Sequence, residues 1–227
     1  MLFRSSLRRS ERSRASRLRC QAHLWSYPFL ELPPTAPSPP WSISPLFPSR
    51  FLVSLIGLPG SGKSTVGRQL ARRLQLQFFD SDQVIEQQLG CSIREYFERE
   101  GEDRFRDVEE SVIAELTQNP QCVLSTGGGA VLRPANRRRL HAHGQVVYLN
   151  ASPDGLLQRL RHDVNRPLLQ GADLLTRLRN LHAVRDPLYR ETAHFIVETG
   201  RPSVPTLVNM IVMQLELADV LPPSDQS

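Results

Sequence analysis

The sequence has 227 residues, of which 40% are hydrophobic, so it is long enough for one domain of ordinary size and an appendage. Its three cysteines are odd in number and widely spaced, which excludes a disulfide framework and a zinc site and favours a reducing compartment. No apolar run approaches the roughly 18 residues of a membrane span, and we therefore expect a soluble chain.

The formal net charge of +5 comes from the first fifty residues. Residues 1–50 carry eight arginines against two glutamates, a charge of +6, which leaves −1 for the other 177 residues. A basic chain often has a nucleic acid as its partner, but this basic stretch lies outside the predicted globular part. We expect no nucleic-acid partner and no membrane partner.

Residues 1–50 are rich in arginine and serine at first and in proline afterwards, with eight of the 18 prolines before Phe51. Proline removes backbone donors and restricts φ, so this N-terminal extension is predicted to be disordered or extended. Three interpretations stay open: an organelle transit peptide, a nucleic-acid-binding tail, or a segment without function, such as an over-long assigned start. We favour the third, because nothing in the extension carries chemistry.

Short apolar runs alternate with helical patterns from Phe51 onward. The strand-like runs are "FLVSLIG", "FFD", "CVLST", "QVVYLN" and "HFIVET". The helical pattern after the first run places Val66, Leu70 and Leu74 on one face. Strands that alternate with helices indicate a parallel sheet covered on both faces.

Two further stretches refine this pattern. Ser152 is a plausible N-cap with Pro153 at the first helical position, and a Pro-started helix is expected from Pro134. Residues 82–119 are almost entirely helical in pattern. This stretch predicts a helical insertion between two strands.

Residues 57–65, "GLPGSGKST", lie between the first predicted strand and the first predicted helix. The glycine spacing is that of a P-loop, in which backbone N–H groups and the helix dipole hold phosphates. Lys63 is the only lysine in the sequence, and its slim ammonium reaches phosphates where a branched guanidinium would not fit. Ser64 would place its hydroxyl on Mg²⁺. The pattern predicts an NTP-binding site.

"FFDSD" places Asp80 and Asp82 at the carboxyl end of the next predicted strand, where open α/β sheets bind ligands. In an extended segment these two side chains would point the same way. One carboxylate could hold Mg²⁺ through water, while the other accepts a proton from a substrate hydroxyl. The alternative is a capping role for either residue on a helix beginning at Gln83.

The remaining candidates leave alternatives open. The glycines of "TGGGA" at 126–130 indicate a close backbone approach or a flexible turn. Arg106 lies in an acidic helical stretch and on composition alone is a solvated ion-pair residue. Arg166 directly precedes a proline and Arg185 stands one residue further ahead of one. Both are on predicted loops or helix ends, free to approach a transferring phosphoryl group or to remain surface residues.

Taken in order, these motifs resemble those of the shikimate kinase family over residues 51–217. The landmarks are the P-loop, "FFDSD" at 78–82, "FRDVE" at 105–109, "TGGG" at 126–129, "RPLL" at 166–169 and "RDPLY" at 185–189. The resemblance implies an α/β fold: a three-layer α/β/α P-loop kinase of the nucleoside monophosphate kinase type, with a five-stranded parallel sheet. It also implies a helical substrate-binding region after Asp82 and a lid around Arg166. The kinase domain would span residues 51–219, followed by a flexible tail at 220–227.

The implied activity is transfer of the γ-phosphoryl group of ATP to the 3-hydroxyl of shikimate, with Mg²⁺ as cofactor. The resemblance makes Lys63, Asp82 and Arg166 catalytic. ATP would be bound by Gly60, Ser61, Gly62, Lys63, Ser64, Thr65, Arg159 and Arg166, with Arg159 near the adenine. Shikimate would be bound by Asp82, Arg106, Gly128 and Arg185, and the metal by Ser64 and Asp80.

Two other functions are weighed against this one. A kinase for another small acid, such as gluconate, would share the fold, and a non-catalytic binding module would be expected to lose Lys63, Asp82 or Arg166, which are all present. No long exposed apolar stripe is evident, so we expect a monomer. The use of arginine in place of lysine favours a bacterial, cytoplasmic protein.

Overall fold

The computed structural model describes residues 51–119, 121–161, 174–200 and 202–221. The N-terminal extension, Arg166 with the predicted lid, and residues 222–227 lie outside these ranges.

Five short strands form one parallel sheet. The strands are β1 (Phe51–Ile56), β2 (Gln77–Asp80), β3 (Gln121–Ser125), β4 (Gln145–Asn150) and β5 (Phe195–Glu198). They lie in the order β2-β3-β1-β4-β5, and every neighbouring pair is parallel. In this register Val53 of β1 stands beside Val123 of β3 and Gln145 of β4. The predicted five-stranded parallel sheet is confirmed.

The described residues also form seven helices and one 3₁₀ turn. The helices are α1 (Lys63–Leu74), α2 (Ser81–Leu89), α3 (Ile93–Leu116), α4 (Pro134–His143), α5 (Pro153–Arg161), α6 (Leu174–Thr192) and α7 (Val204–Leu217), and the 3₁₀ turn is Ala130–Leu132. Helices α2 and α3 form the predicted helical insertion. Within α3, Gly101 has a φ of 83°, which interrupts the helix with a kink.

The core has two parts because β1 is buried on both faces of the sheet. Phe51, Val53 and Leu55 pack against α1 and α7 on one face. Leu52 and Ile56 point to the other face, where α2–α6 pack. Alternate side chains of a strand point to opposite faces, so this one strand anchors both helical layers. The result is the three-layer α/β/α arrangement that the sequence predicts.

The helix ends follow the local sequence signals. Helix α5 begins at Pro153, and the Gly155 N–H donates to the Ser152 hydroxyl at 3.1 Å, which is the predicted cap. Beyond α7, the N–H groups of Val220 and Leu221 donate to the Leu215 carbonyl, and the Leu221 side chain is buried.

No helix in the described ranges combines the length and the apolar character needed to cross a membrane.

Candidate active site

The loop after β1 has the backbone geometry of a phosphate cradle. Gly57, Gly60 and Gly62 have φ values of 145°, 83° and 95°, a region that side chains disfavour. Lys63 begins α1 and is 8% exposed. Its ammonium donates to the carbonyls of Gly57 and Leu58, both at 2.9 Å, so the positive charge lies inside the loop.

Ser64 follows in the first turn of α1, and Thr65 next to it is exposed. The Ser64 hydroxyl donates to Asp80 Oδ2 at 2.6 Å and lies 3.4 Å from the hydroxyl of Ser125, the last residue of β3. The two residues predicted to hold a metal are therefore in direct contact, and Ser125, which sequence reasoning missed, joins them. Its position at a carboxyl strand end was the signal that could have found it.

Asp80 and Asp82 differ from the expected arrangement. Helix α2 begins at Ser81 rather than Gln83, because Asp80 caps it by accepting from the Asp82 N–H at 3.1 Å. Asp82 therefore lies in the first turn of a helix, and the expectation of an extended segment carrying both carboxylates was wrong. Asp80 is a cap as well as the partner of Ser64.

Asp82 is half-buried among charged neighbours. Burial raises its pKa above the usual range, and the nearby Asp80 carboxylate adds to the rise. Lys63 and Arg106 act in the opposite direction, so both cations lie close enough to influence this carboxylate.

Arg106 is buried rather than solvated, so the interpretation from composition alone was wrong. Its Nη1 donates to Glu109 Oε2 at 2.7 Å, and its Nη2 donates to Glu102 Oε1 at 2.9 Å. The guanidinium carbon lies 5.8 Å and 5.2 Å from the ring centres of Phe97 and Phe105. Aromatic rings and two carboxylates thus fix the guanidinium at the site.

Glu109 is a site residue that sequence reasoning missed. Its side chain is 1% exposed, and burial raises its pKa, against the lowering effect of Arg106. A glutamate three residues after an arginine faces the same side of a helix, so the spacing within "FRDVE" was an available signal. Burial itself could not be read from a segment this acidic.

The three glycines at 127–129 are explained by close approach. A Cβ on the first would lie 2.6 Å from Asp82 Oδ1, and one on the second would lie 2.7 Å from Pro59 Cδ in the P-loop. A Cβ on the third would clash with the Arg106 guanidinium. None of the three has a positive φ. The close-approach interpretation, rather than the flexible turn, therefore fits.

Hydrogen bonds hold this glycine loop against the sheet and α2. Thr126 donates through its N–H and its hydroxyl to the Leu55 carbonyl, at 3.1 Å and 3.2 Å. The Gly127 N–H donates to the hydroxyl of Ser81 at 2.9 Å. The loop is thereby fixed between the end of β1 and the start of α2.

Arg185 lies inside α6 rather than on a loop or helix end, so that expectation was wrong. Its Nη1 donates to the Gly128 carbonyl at 3.0 Å. The Tyr189 hydroxyl donates to the same carbonyl at 2.6 Å. Helix α6 therefore brings Arg185 to the glycine loop, which Arg106 also approaches at Gly129.

Arg159 lies on α5, and its side chain reaches the residue that follows β5. It is exposed, and its guanidinium donates to the carbonyl and the hydroxyl of Thr199. Thr199 in turn donates from its N–H to the Asn150 carbonyl at 2.8 Å. The site thus has a phosphate cradle in the middle, an acidic and basic cluster on the β2 and β3 side, and Arg159 on the β5 side.

The comparison with protein families decides what this arrangement is. A family model described as shikimate kinase matches residues 59–216. The chain belongs to the shikimate kinase family. It is therefore an ATP-dependent kinase.

Relatives and solved structures agree with this family. A shikimate kinase of Paracidovorax citrulli is 61% identical over 175 residues, which cover 76% of this chain and 96% of the relative. One of Burkholderia thailandensis is 58% identical over 169 residues, covering 74% of this chain and 92% of the relative. A structure of shikimate kinase from Acinetobacter baumannii in complex with shikimate matches with a TM-score of 0.70 and 44% identity, over 75% of this chain and 95% of that one.

Proposed function

We propose that the chain transfers the γ-phosphoryl group of ATP to the 3-hydroxyl of shikimate, giving shikimate 3-phosphate for aromatic amino acid synthesis. The observation that carries this proposal is one contact pattern. The glycine loop at 127–129 touches the P-loop at Pro59, the carboxylate of Asp82 and the guanidinium of Arg106. A small hydroxylated acid beside this loop would meet a base, a cation and the phosphate cradle together.

The phosphate end is proposed to bind ATP through residues 60–65. Their N–H groups and the start of α1 offer hydrogen bonds and positive dipole to phosphate oxygens. The buried hydroxyl of Ser61 has no hydrogen-bond partner within the described residues, which suits a loop that accepts a polar ligand. Lys63 would exchange its two carbonyl contacts for the β- and γ-phosphates and stabilise the charge that moves during transfer.

Ser64 and Asp80 are proposed to hold Mg²⁺. Both supply hard oxygen atoms, which Mg²⁺ prefers, and they lie 2.6 Å apart beside the P-loop. When bound, Mg²⁺ would offset the negative charge of the ATP phosphates. Asp80 would act through water, because its Oδ1 accepts from the Asp82 N–H and its Oδ2 accepts from the Ser64 hydroxyl.

Asp82 is proposed as the residue that orients and deprotonates the attacking hydroxyl. Burial and the neighbouring Asp80 raise its pKa, and a carboxylate with a raised pKa is a stronger base at neutral pH. Its position in the first turn of α2, next to the glycine loop, points it towards the acceptor side of the site.

Arg106 and Arg185 are proposed to bind the carboxylate of shikimate. An arginine presents parallel donors that match a carboxylate, and two arginines meet at the glycine loop here. Glu109 would keep its bond to Arg106, whereas the exposed Glu102 is the partner that the shikimate carboxylate displaces. Gly128 completes the pocket with its backbone.

Two further arginines complete the proposal. Arg159 would lie near the adenine, where Thr199 holds its guanidinium. Arg166, which falls outside the described residues, would contribute charge at the transferring phosphoryl group from the lid.

The same proposal makes the chain a cytoplasmic monomer whose partners are ATP and shikimate alone, without nucleic acid or membrane. Residues 51–227 carry a net charge of about −1 when the +6 of the extension is removed from the total of +5. A nearly neutral net charge gives little of the long-range attraction to nucleic acid that a strongly basic domain has. Sedimentation of the full chain with and without an oligonucleotide tests the monomeric state and the absence of nucleic-acid binding.

The function is tested by ADP release from Mg-ATP by the full chain, with shikimate and gluconate offered in parallel. We expect turnover with shikimate and background rates with gluconate, and ³¹P NMR of the product should show a phosphate ester at the 3-position. Residues 51–227 should give the same rate, since no proposed site residue lies in the extension. Turnover that depends on gluconate, or none with either acid, would refute the proposal.

A further inference from the structure

The carbonyl of Gly128 accepts hydrogen bonds from two side chains of the same helix. Arg185 Nη1 donates to it at 3.0 Å and the Tyr189 hydroxyl donates at 2.6 Å. A carbonyl oxygen has two lone pairs, so these two bonds use its accepting capacity. The two donors are one turn apart on α6 and converge on one atom.

The stretch of α6 between these donors lacks part of the helical hydrogen bonding. Pro187 lies inside the helix and has no N–H to donate to the carbonyl of Ala183, one turn earlier. Arg185 therefore sits where the backbone ladder of α6 is weakened. Contacts outside the helix must supply part of what holds its position.

Tyr189 is well suited to supply such a contact. Its side chain is 0% exposed and its ring stacks on Tyr148 with ring centres 4.9 Å apart. Burial raises the pKa of Tyr189 to about 12, so its hydroxyl stays protonated and remains a donor at neutral pH. A buried, stacked ring has little freedom, which makes its hydroxyl a fixed point for the glycine loop.

We propose that Tyr189 is a positioning residue that fixes the Gly128 carbonyl and, through it, holds Arg185 in the orientation that binds the acceptor carboxylate. This inference rests on the proposed function, because it names the residue that organises half of the carboxylate-binding pair. Tyr189 does not touch the substrate. It sets the atom against which one guanidinium nitrogen docks, so that the other nitrogens face the pocket.

The test is Tyr189→Phe in the full chain, which removes one oxygen and keeps the ring. We expect the KM for shikimate to rise about fivefold to tenfold, which is the size expected for one lost hydrogen bond to a binding group. The KM for ATP and the kcat should stay within about twofold of wild type. Calorimetric titration with shikimate alone should show the same fold-change in Kd, and circular dichroism should show a folded chain.

Tyr148→Phe is the matched control. Tyr148 is also 0% exposed and belongs to the same ring pair, but its hydroxyl contacts Asn150 and Asp186 instead of Gly128. It should cost similar thermal stability while leaving the KM for shikimate within about twofold of wild type. An equal rise in KM for both variants would mean that any lost buried hydroxyl loosens the site, and would overturn the proposal.

A double-mutant cycle shows whether Tyr189 acts through Arg185. In an Arg185→Ala background, Tyr189→Phe should change the Kd for shikimate less than twofold, because the group it positions is gone. A full fivefold to tenfold effect in that background would overturn the route through Arg185. Wild-type values for Tyr189→Phe would overturn the inference while the proposed function stands, whereas an inactive wild type would overturn both.

Discussion

The two ends of the site are built in different ways. The phosphate end is one continuous segment, residues 57–65, whose backbone turns the P-loop and whose lysine donates to carbonyls of the same loop. The acceptor end is assembled from α2, α3, the glycine loop and α6, which lie far apart in the sequence. A local segment can be recognised by its spacing, whereas an assembled pocket depends on contacts between elements.

The ends also differ in how they hold charge. Lys63 donates to two neutral backbone carbonyls and also acts electrostatically on the Asp82 carboxylate, and phosphate oxygens could replace the two carbonyls as its hydrogen-bond partners. Arg106 is held by a buried carboxylate, whose removal would leave a charge without its partner. Substitutions at the phosphate end should therefore lower the catalytic rate, whereas substitutions at the acceptor end should lower the free energy of unfolding as well.

The largest effect is expected for Lys63→Met. Loss of the ammonium removes the charge that is proposed to stabilise the transferring phosphoryl group, and kcat/KM should fall by about 10³-fold or more. Thermal unfolding should change little. Arg72→Met is the control, since this exposed cation lies on the same helix and should leave the activity at wild-type level. A Lys63→Met variant with more than a tenth of the wild-type kcat/KM would contradict the catalytic importance of the phosphate end.

The second prediction compares the two carboxylates that bind Arg106. Glu109→Ala should lower the free energy of unfolding by about 3 kcal/mol, because the buried guanidinium loses its buried partner. Glu102 is 59% exposed, so Glu102→Ala should cost less than about 1 kcal/mol. Urea denaturation measures both. Equal losses would show that burial does not distinguish the two pairs.

A smaller effect is expected for Gly129→Ala. The added methyl group would displace the Arg106 guanidinium and raise the KM for shikimate about tenfold, with the KM for ATP unchanged. Gly200→Ala serves as the control, because a Cβ there meets nothing within 4 Å. Steady-state kinetics with each substrate varied in turn would sharpen the separation of the two ends. An equal rise in the KM for shikimate and the KM for ATP would show that the two ends do not act separately.

The smallest effect concerns pH. The pKa of Asp82 is raised in the folded chain by burial and by Asp80, so the folded state binds this proton more tightly than the unfolded state. The stabilisation is complete below the usual value near 3.8 and is lost as pH rises through the folded pKa. Asp82→Asn should therefore be more stable than wild type at pH 7 although inactive.

Denaturation of both proteins between pH 3.5 and 7 measures this difference in stability. The difference in free energy of unfolding between Asp82→Asn and wild type should become smaller as pH falls. The kcat/KM of wild type should decline as pH falls through the raised pKa of Asp82. A wild type more stable than the Asn variant at pH 7 would contradict the sign of the shift.

Much of the fold was readable because its signals are local. The alternation of apolar runs with helical spacing predicted the strands and helices of a parallel sheet, and Ser152 with Pro153 predicted the start of α5. The start of α2 was missed by two residues, since the capping bond that the Asp82 N–H donates to the Asp80 carboxylate competes with continuing the strand.

The acceptor end shows where sequence reasoning stops. Arg106 sits among five acidic neighbours in the sequence, a pattern typical of a solvated helix face, yet it is buried against Phe97 and Phe105. The kink at Gly101 and the packing of α3 decide this burial, and neither is encoded in composition. Only the resemblance to a family assigned Arg106 to the site. Glu109 was missed because its burial cannot be read from the sequence. Tyr189 was missed because its partner, Gly128, lies on a separate element.

The single lysine has a practical consequence for chemical labelling. Within this sequence the only primary amines are the α-amino group and Lys63 Nζ, and the second is enclosed by the P-loop carbonyls. An amine-selective acylating reagent therefore has one side-chain target, which lies in the proposed nucleotide site. Mass spectrometry of the labelled chain would measure the fraction of Lys63 that is acylated. Protection of Lys63 by ATP would report how much of the site is occupied, without any engineered probe.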